Sequence, residues 1–227
     1  MSQASRQKSE RNADTRERLL HTALALYAQE GLHAVSLRRI SAESGSKNSA
    51  AMHYHFENQL GVLCALMQMI TRELRDMDTA LRDDSGTPRT LRDACRDIIT
   101  PLVMLPQRQP WGNDALRFLS RLMGENDPEI AQLVNDAYAP FLQALDKALG
   151  AELPDLPDEV RKLRLMFIHT NIFHGVAEVA WLTHTPLGDL SYFDQDTLLG
   201  HLVDFLIGGL QAPSHAYNTT TQKESTS

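Results

Sequence analysis

The 227-residue chain predicts an all-α protein, a small three-helix head continued by a larger helical body. Three observations carry that expectation. Apolar residues recur at i, i+3, i+4 and i+7 in one segment after another, and no segment alternates as a half-buried strand would. Ser, Asp, Asn, Gly and Pro fall where such segments begin and end. The charge is also unevenly shared. Residues 1–60 hold eight Lys or Arg against six Asp or Glu, a balance of +2, whereas the whole chain is at −7, which leaves −9 for the remainder. An acidic protein is a poor nucleic-acid partner on its overall charge. A mildly basic head on an acidic body removes that objection.

Residues 1–12 are polar and charged, without the apolar core of a signal peptide, and are expected to be a disordered arm. The head spans 13–60. Asp14-Thr-Arg-Glu17 reads as a capping box, and Leu20, Ala23, Leu24 and Tyr27 form one apolar stripe that ends at Gly31. Ser36 is placed to cap a second helix, with Leu37 and Ile40 facing inward and Arg38 and Arg39 outward. Gly45 supplies the turn. Asn48 can cap a short third helix, where Ser49, Ala50 and Ala51 are small and Lys47, His53, Tyr54 and His55 are polar. Helix, tight turn and short polar helix is the arrangement that lets the second helix enter the major groove while the first crosses the backbone. The same spacing also fits a helical hairpin with one solvated face.

The body spans 61–212. Asn58 caps a long helix that buries Leu63, Leu66, Met67, Ile70, Leu74, Met77 and Leu81, and Gly61 near its start suggests a hinge between head and body. Asp83 to Pro88 is a turn, with Thr87 and Pro88 opening a helix that runs through Ile98 and Leu102 toward Pro106. An irregular loop over 106–112 precedes a helix carrying Leu116, Leu119 and Met123. Asp127-Pro128 opens another, ending at Gly150 and kinked at Pro140. After a proline-punctuated linker at 153–158 come two final helices, Glu159 to Thr183 and Asp194 to Leu210. The last is apolar on more faces than one core contact needs, through Leu198, Leu199, Leu202, Val203, Phe205, Leu206 and Ile207. Either it is a central core helix or its excess face meets a symmetry mate. Residues 213–227 read as a disordered tail. No apolar run is long enough to span a bilayer. Cys64 and Cys95 read as buried thiols in a reducing compartment, with a redox pair as the alternative.

The stretch TRERLLHTALALYAQEGLHAVSLRRISAESG (Thr15 to Gly45) with SGSKNSAAMHYHF (Ser44 to Phe56) resembles the N-terminal DNA-binding domain of the TetR family of transcriptional regulators, over about a fifth of the chain. The form with one extra residue between the glycine and the HYHF cluster is similar to a subgroup of that family. The resemblance implies that Ser36, Arg38, Lys47, Asn48, Ser49, Ala50, His53, Tyr54 and His55 lie at the DNA surface. Tyr54 and His55 are then expected on phosphates, with Arg38 and the Asn48 to Ala50 edge on bases. Gln59 stands where the family usually carries a basic phosphate anchor.

The segment from about Asp114 to Thr183, including RFLSRLMGENDPEIAQLV and HTNIFHGVAEVAWL, is similar to a C-terminal domain of fatty-acid-responsive TetR regulators. It implies an effector site in the body without identifying the ligand. Met104, Trp111, Phe118, Met123, Tyr138 and Phe167 could line an adaptable apolar cavity, with Asn171 and His174 orienting the ligand. The same residue types at helical spacing also describe plain core. His174 and Glu178 have the i, i+4 spacing of two metal ligands, but no third ligand or HExxH accompanies them, so no metal is expected. His169, Asn171 and His174 would then pair with each other or with a partner subunit. A helical enzyme using His174 and Glu178, or a dimeric interaction module that ignores DNA, are the rival readings. No nucleophile motif or phosphate-binding loop supports the enzyme, and no catalytic residue or cofactor is expected. The sequence therefore leads to a cytoplasmic homodimeric regulator, a repressor joined through its last two helices. It would bind a double-stranded pseudo-palindromic operator and be released by a small, largely apolar effector.

Overall fold

The computed structural model describes residues 3–46, 51–81, 90–177, 185–186 and 188–213. These hold nine helices: α1 (Gln3–Glu30), α2 (Leu37–Glu43), α3 (Ala51–Phe56), α4 (Gln59–Leu81), α5 (Leu91–Arg108), α6 (Gly112–Leu122), α7 (Pro128–Glu152), α8 (Asp158–Ala177) and α9 (Gln195–Gln211). Among the described residues the only extended pairing is an isolated bridge between Thr185 and Gly188. The all-α expectation holds.

The chain divides into two compact units. One comprises Met1–Arg82 and Met104–Tyr138, the other Asp83–Val103 and Ala139–Ser227. The division does not fall at residue 60, because α6 packs against α1 and belongs with the head. Within that unit Tyr27 and Phe118, both fully buried, stack at 6.3 Å with their planes 23° apart. Trp111 stacks on His21 at 6.2 Å. Arg121 donates from Nε to the Ala28 carbonyl at 2.9 Å and from Nη2 to that of Gln29 at 3.2 Å. Those are orphan acceptors of the last turn of α1, so a side chain of α6 completes its C-terminus. His33 meets Glu125 at 2.9 Å nearby.

Several expected boundaries move. Helix α1 begins at Gln3, so Asp14 and Glu17 lie inside it and form no capping box. The segment QASRQKSERNA is polar, but Ala, Arg, Gln, Lys and Glu are good helix formers, and polarity alone argues only against burial. Helix α5 is capped by Thr90 and Asp93, with Thr90 N donating to Asp93 Oδ2 at 3.0 Å and Asp93 N to Thr90 Oγ1 at 3.1 Å. The Thr87-Pro88 start lies outside the described residues. The helix passes Pro106 and ends at Arg108, shortening the expected loop to a turn. The α7 start is as expected, since Asp127 Oδ1 accepts from Glu129 N at 2.8 Å. Its end lies two residues beyond Gly150, at Glu152. Helix α8 is described to Ala177, so Glu178 to Thr183 lie outside, as do residues 214–227 of the expected disordered tail.

The second unit buries Leu91, Ile99, Leu145, Leu149, Leu165, Ile172, Phe173, Leu199, Val203, Leu206 and Leu210. Polar ties frame that core. Arg161 bonds Asp146 at 2.7 Å, Arg92 bonds Asp204 at 2.6 Å, and Arg164 donates to the Leu210 carbonyl at 2.5 Å, where α9 ends. Cys64 and Cys95 are free thiols, and burial pushes Cys95 up to about 11, so it stays protonated and unreactive at neutral pH.

Candidate nucleic-acid interface

Local signals position α2 and α3. Ser36 Oγ accepts from Arg39 N at 3.2 Å, the expected N-cap. Gly45 adopts φ +72°, and the amides of Gly45 and Ser46 bond back to Ala42 and Ser41. This left-handed position is open to glycine at no steric cost.

Arg39 fixes α2 against α1. Its guanidinium grips Glu30 with two bonds, Nη1 to Oε2 at 2.5 Å and Nη2 to Oε1 at 2.6 Å, while Nε bonds Glu43 at 2.7 Å. The Glu30 carboxyl is held below its usual range by the Arg39 hydrogen bond. Arg39 is therefore a strut, and Arg38, exposed beside it, is the cation of α2 open to a phosphate or base.

Of the predicted recognition residues, Lys47, Asn48, Ser49 and Ala50 lie outside the described residues. Helix α3 is amphipathic. Ala51, Met52 and Phe56 are buried, His53 and Tyr54 are exposed, and His55 is half-buried. Tyr54 is 74% exposed. His55 packs edge-on against it at 4.9 Å. Desolvation, reinforced by the Arg16 charge, lowers the His55 pKa, so at neutral pH it offers hydrogen bonds and no charge. His53 Nδ1 lies 2.8 Å from the Glu57 carbonyl, which can only accept, so Nδ1 carries the proton. Glu57 itself takes φ +63° to end α3, a strained position for a non-glycine residue.

The next helix starts immediately. Asn58 Oδ1 accepts from Gly61 N at 2.8 Å, as expected of its cap. Gln59, in place of the basic anchor, turns inward and donates to the Leu32 carbonyl at 2.8 Å. Arg16 of α1 sits 5.2 Å over the Phe56 ring, a cation beside the end of α3 that spacing along the sequence does not reveal.

The eight expected effector residues fall in both compact units. Met104, Trp111, Phe118, Met123 and Tyr138 belong to the first unit, and Phe167, Asn171 and His174 to the second. Phe118 and Trp111 are engaged with Tyr27 and His21 of α1. Met104 and Met123 are half-buried. Tyr138 is buried, which drives its phenol pKa far up. Phe167, Asn171 and His174 share an exposed face of α8 with Leu163, Met166 and Thr170. His169 stands edge-on to Phe173 at 5.2 Å, and burial lowers its pKa. Among the described residues no three His, Cys, Asp or Glu side chains are grouped as a metal site, and no helix is long and apolar enough to cross a membrane.

Residues 96–209 match the model of the Tetracyclin repressor-like, C-terminal domain family. No curated protein matches the chain in sequence. Solved structures do. A protein of Saccharomonospora viridis, taken to be a transcriptional regulator and solved with choline, is 24% identical at a TM-score of 0.56, covering 86% of this chain and 96% of its own. The transcriptional regulator FadR of Bacillus subtilis, solved with stearoyl-CoA, is 14% identical at 0.57, covering 85% and 98%. A TetR-family transcriptional regulator from Bordetella parapertussis is 14% identical at 0.60, covering 88% and 97%.

Proposed function

Because the chain belongs to the TetR-like family of transcriptional regulators, matching its C-terminal domain over half its length, we propose that it is a ligand-responsive DNA-binding regulator that acts as a homodimer. The observation that carries the reading is the end of α3. Tyr54 and His53 stand exposed on a short helix fixed by the Gly45 turn, the Asn58 cap and the Arg39 strut. The face of α3 that carries them is turned away from the core that Ala51, Met52 and Phe56 enter, and its polar edge suits a groove. We read the protein as a cytoplasmic repressor of a pseudo-palindromic operator, released by a small and largely apolar effector. Arg38 and the Asn48 to Ala50 edge read bases, and Lys47, Tyr54 and His55 hold phosphates. The solved relatives are too distant to lend this chain their ligands.

The test is a binding assay with duplexes selected from a random pool. Tyr54→Ala should weaken selected and random duplexes alike, by about 1 kcal/mol for every hydrogen bond removed. Arg38→Ala should weaken the selected duplex more than the random one. Equal affinity of wild type and a Tyr54→Ala/Arg38→Ala double variant for both duplexes would exclude this surface.

Two exposed faces support the dimer. Helix α8 presents Leu163, Met166 and Phe167, the last two 53% and 54% exposed, and α9 presents Phe205 at 67% with Gly208 and Gly209 beside it. Aromatic and methionine side chains next to small residues suit a helix–helix contact between copies. Phe205→Glu should weaken self-association by about 2 kcal/mol or more while leaving the unfolding of the single chain nearly unchanged. Light scattering showing the same dimer at the same concentrations would place the interface elsewhere.

A further inference from the structure

Helix α1 starts four turns before the core does. Of its described side chains ahead of Leu19, Gln7, Asn12, Ala13, Asp14, Arg16, Glu17 and Arg18 are exposed and Thr15 is half-buried. The segment from Gln3 to Arg18 is thus about 24 Å of helix, and none of its described side chains is buried. A helix polar on every side gains nothing from packing, so its retention points to a partner.

Its charges are sorted by face. Lys8, Arg11, Thr15 and Arg18 follow one another at three, four and three residues, the spacing of a single helical stripe. Glu10, Asp14 and Glu17 follow at four and three on a different stripe, so the basic row contains no acid. Residues 1–18 hold five basic and three acidic side chains, which is +2. Residues 19–60 hold three of each and are neutral. Within the latter Arg39 is already taken by Glu30 and Glu43. The whole net positive charge of the head therefore resides on the protruding turns. Arg16 over the Phe56 ring sets those turns beside the end of α3.

We propose that the first turns of α1 are a second DNA-contacting element, in which Lys8, Arg11 and Arg18 run along the phosphate backbone next to the groove that α3 enters. The proposal rests on the DNA-binding reading above. A row of cations without acids on the same stripe matches a phosphate backbone, and contacts of this kind add affinity and salt dependence without choosing a sequence.

The experiment uses the full chain as Lys8→Gln/Arg11→Gln/Arg18→Gln. Its control, Arg72→Gln/Arg75→Gln/Lys147→Gln, makes the same change in net charge at exposed positions of α4 and α7. Both are titrated against a duplex selected by the wild type and a mixed-sequence duplex over a range of salt. The arm variant should bind both duplexes more weakly by the same factor. Its salt slope should fall by about 0.9 for each phosphate no longer neutralised, so for three phosphates the deficit closes by about fortyfold between about 50 and 200 mM. A slope equal to the control's would overturn the proposal while leaving the recognition helix untouched. Loss of preference for the selected duplex would also overturn it, by making these residues base readers. A wild type that binds neither duplex would remove the DNA-binding reading itself and this element with it.

Discussion

Replacing Gly61 by alanine is expected to disrupt the junction of α3 and α4, with a loss of about 3 kcal/mol or more in stability and loss of DNA binding. A Cβ at this position would lie 1.9 Å from the Phe56 carbonyl oxygen and 3.0 Å from its carbon. That neighbour is backbone and cannot rotate aside, so either the end of α3 or the start of α4 must move. The displaced residues would be His53 to Phe56, whose placement depends on the Glu57 turn. The sequence suggests instead a flexible hinge at Gly61, at which alanine would spare folding and alter only the coupling between ligand and operator. The close approach overturns that expectation. The glycine is there for space, and the junction is tight. Thermal unfolding of the purified variant decides the matter: a midpoint within about one degree of wild type would show that the turn relaxes without cost.

Phe118→Ala is expected to cost about 3–5 kcal/mol, the range for emptying the site of a fully buried aromatic. In a chain of this size that amounts to a fall of roughly 6–20 °C in the unfolding midpoint. The cavity would open beneath Tyr27, removing the stacked pair that joins α6 to α1. Phe167→Ala, at a side chain 54% exposed, should leave the unfolding of the single chain within about 0.5 kcal/mol. The pair also separates packing from ligand binding. If Phe118→Ala leaves the midpoint unchanged and instead abolishes an effector-induced thermal shift, then Phe118 belongs to a pocket wall and not to the α1–α6 core.

These two phenylalanines show what is readable in such a chain. Both sit at helical spacing among apolar neighbours, and nothing in their residue type tells a core side chain from an exposed one. The cap at Ser36, the turn at Gly45 and the starts at Asn58, Asp127 and Asp194 were legible because each depends on residues within three positions. The stripe of α4 was legible because burial repeats with the helix period: Leu63, Leu66, Met67, Ile70, Leu74 and Met77 are all buried. What escaped was non-local or unopposed. Arg39 and Glu43 are an i, i+4 pair that spacing suggests, but Glu30 is nine residues from Arg39 and meets it only after α1 and α2 have packed. The first turns of α1 escaped because no apolar stripe marks them in the sequence, so the capping signal at Asp14 looked like a beginning. The expected recognition edge from Lys47 to Ala50 lies outside the described residues, and its role rests on the family pattern.

The guanidinium of Arg121 on the last carbonyls of α1 also has a consequence for the order in which the protein is made. The chain leaves the ribosome N-terminus first, and segments fold as their partners emerge. The final turn of α1 waits for a donor encoded more than ninety residues later, at Arg121, and the Tyr27 ring waits for Phe118. A nascent chain that has exposed only its first three helices therefore holds the recognition elements on an unfinished support. The body must be synthesised as far as α6 before the head reaches its final form, so premature termination within α4 or α5 would release fragments with an incomplete head and not miniature regulators that occupy the operator unresponsively.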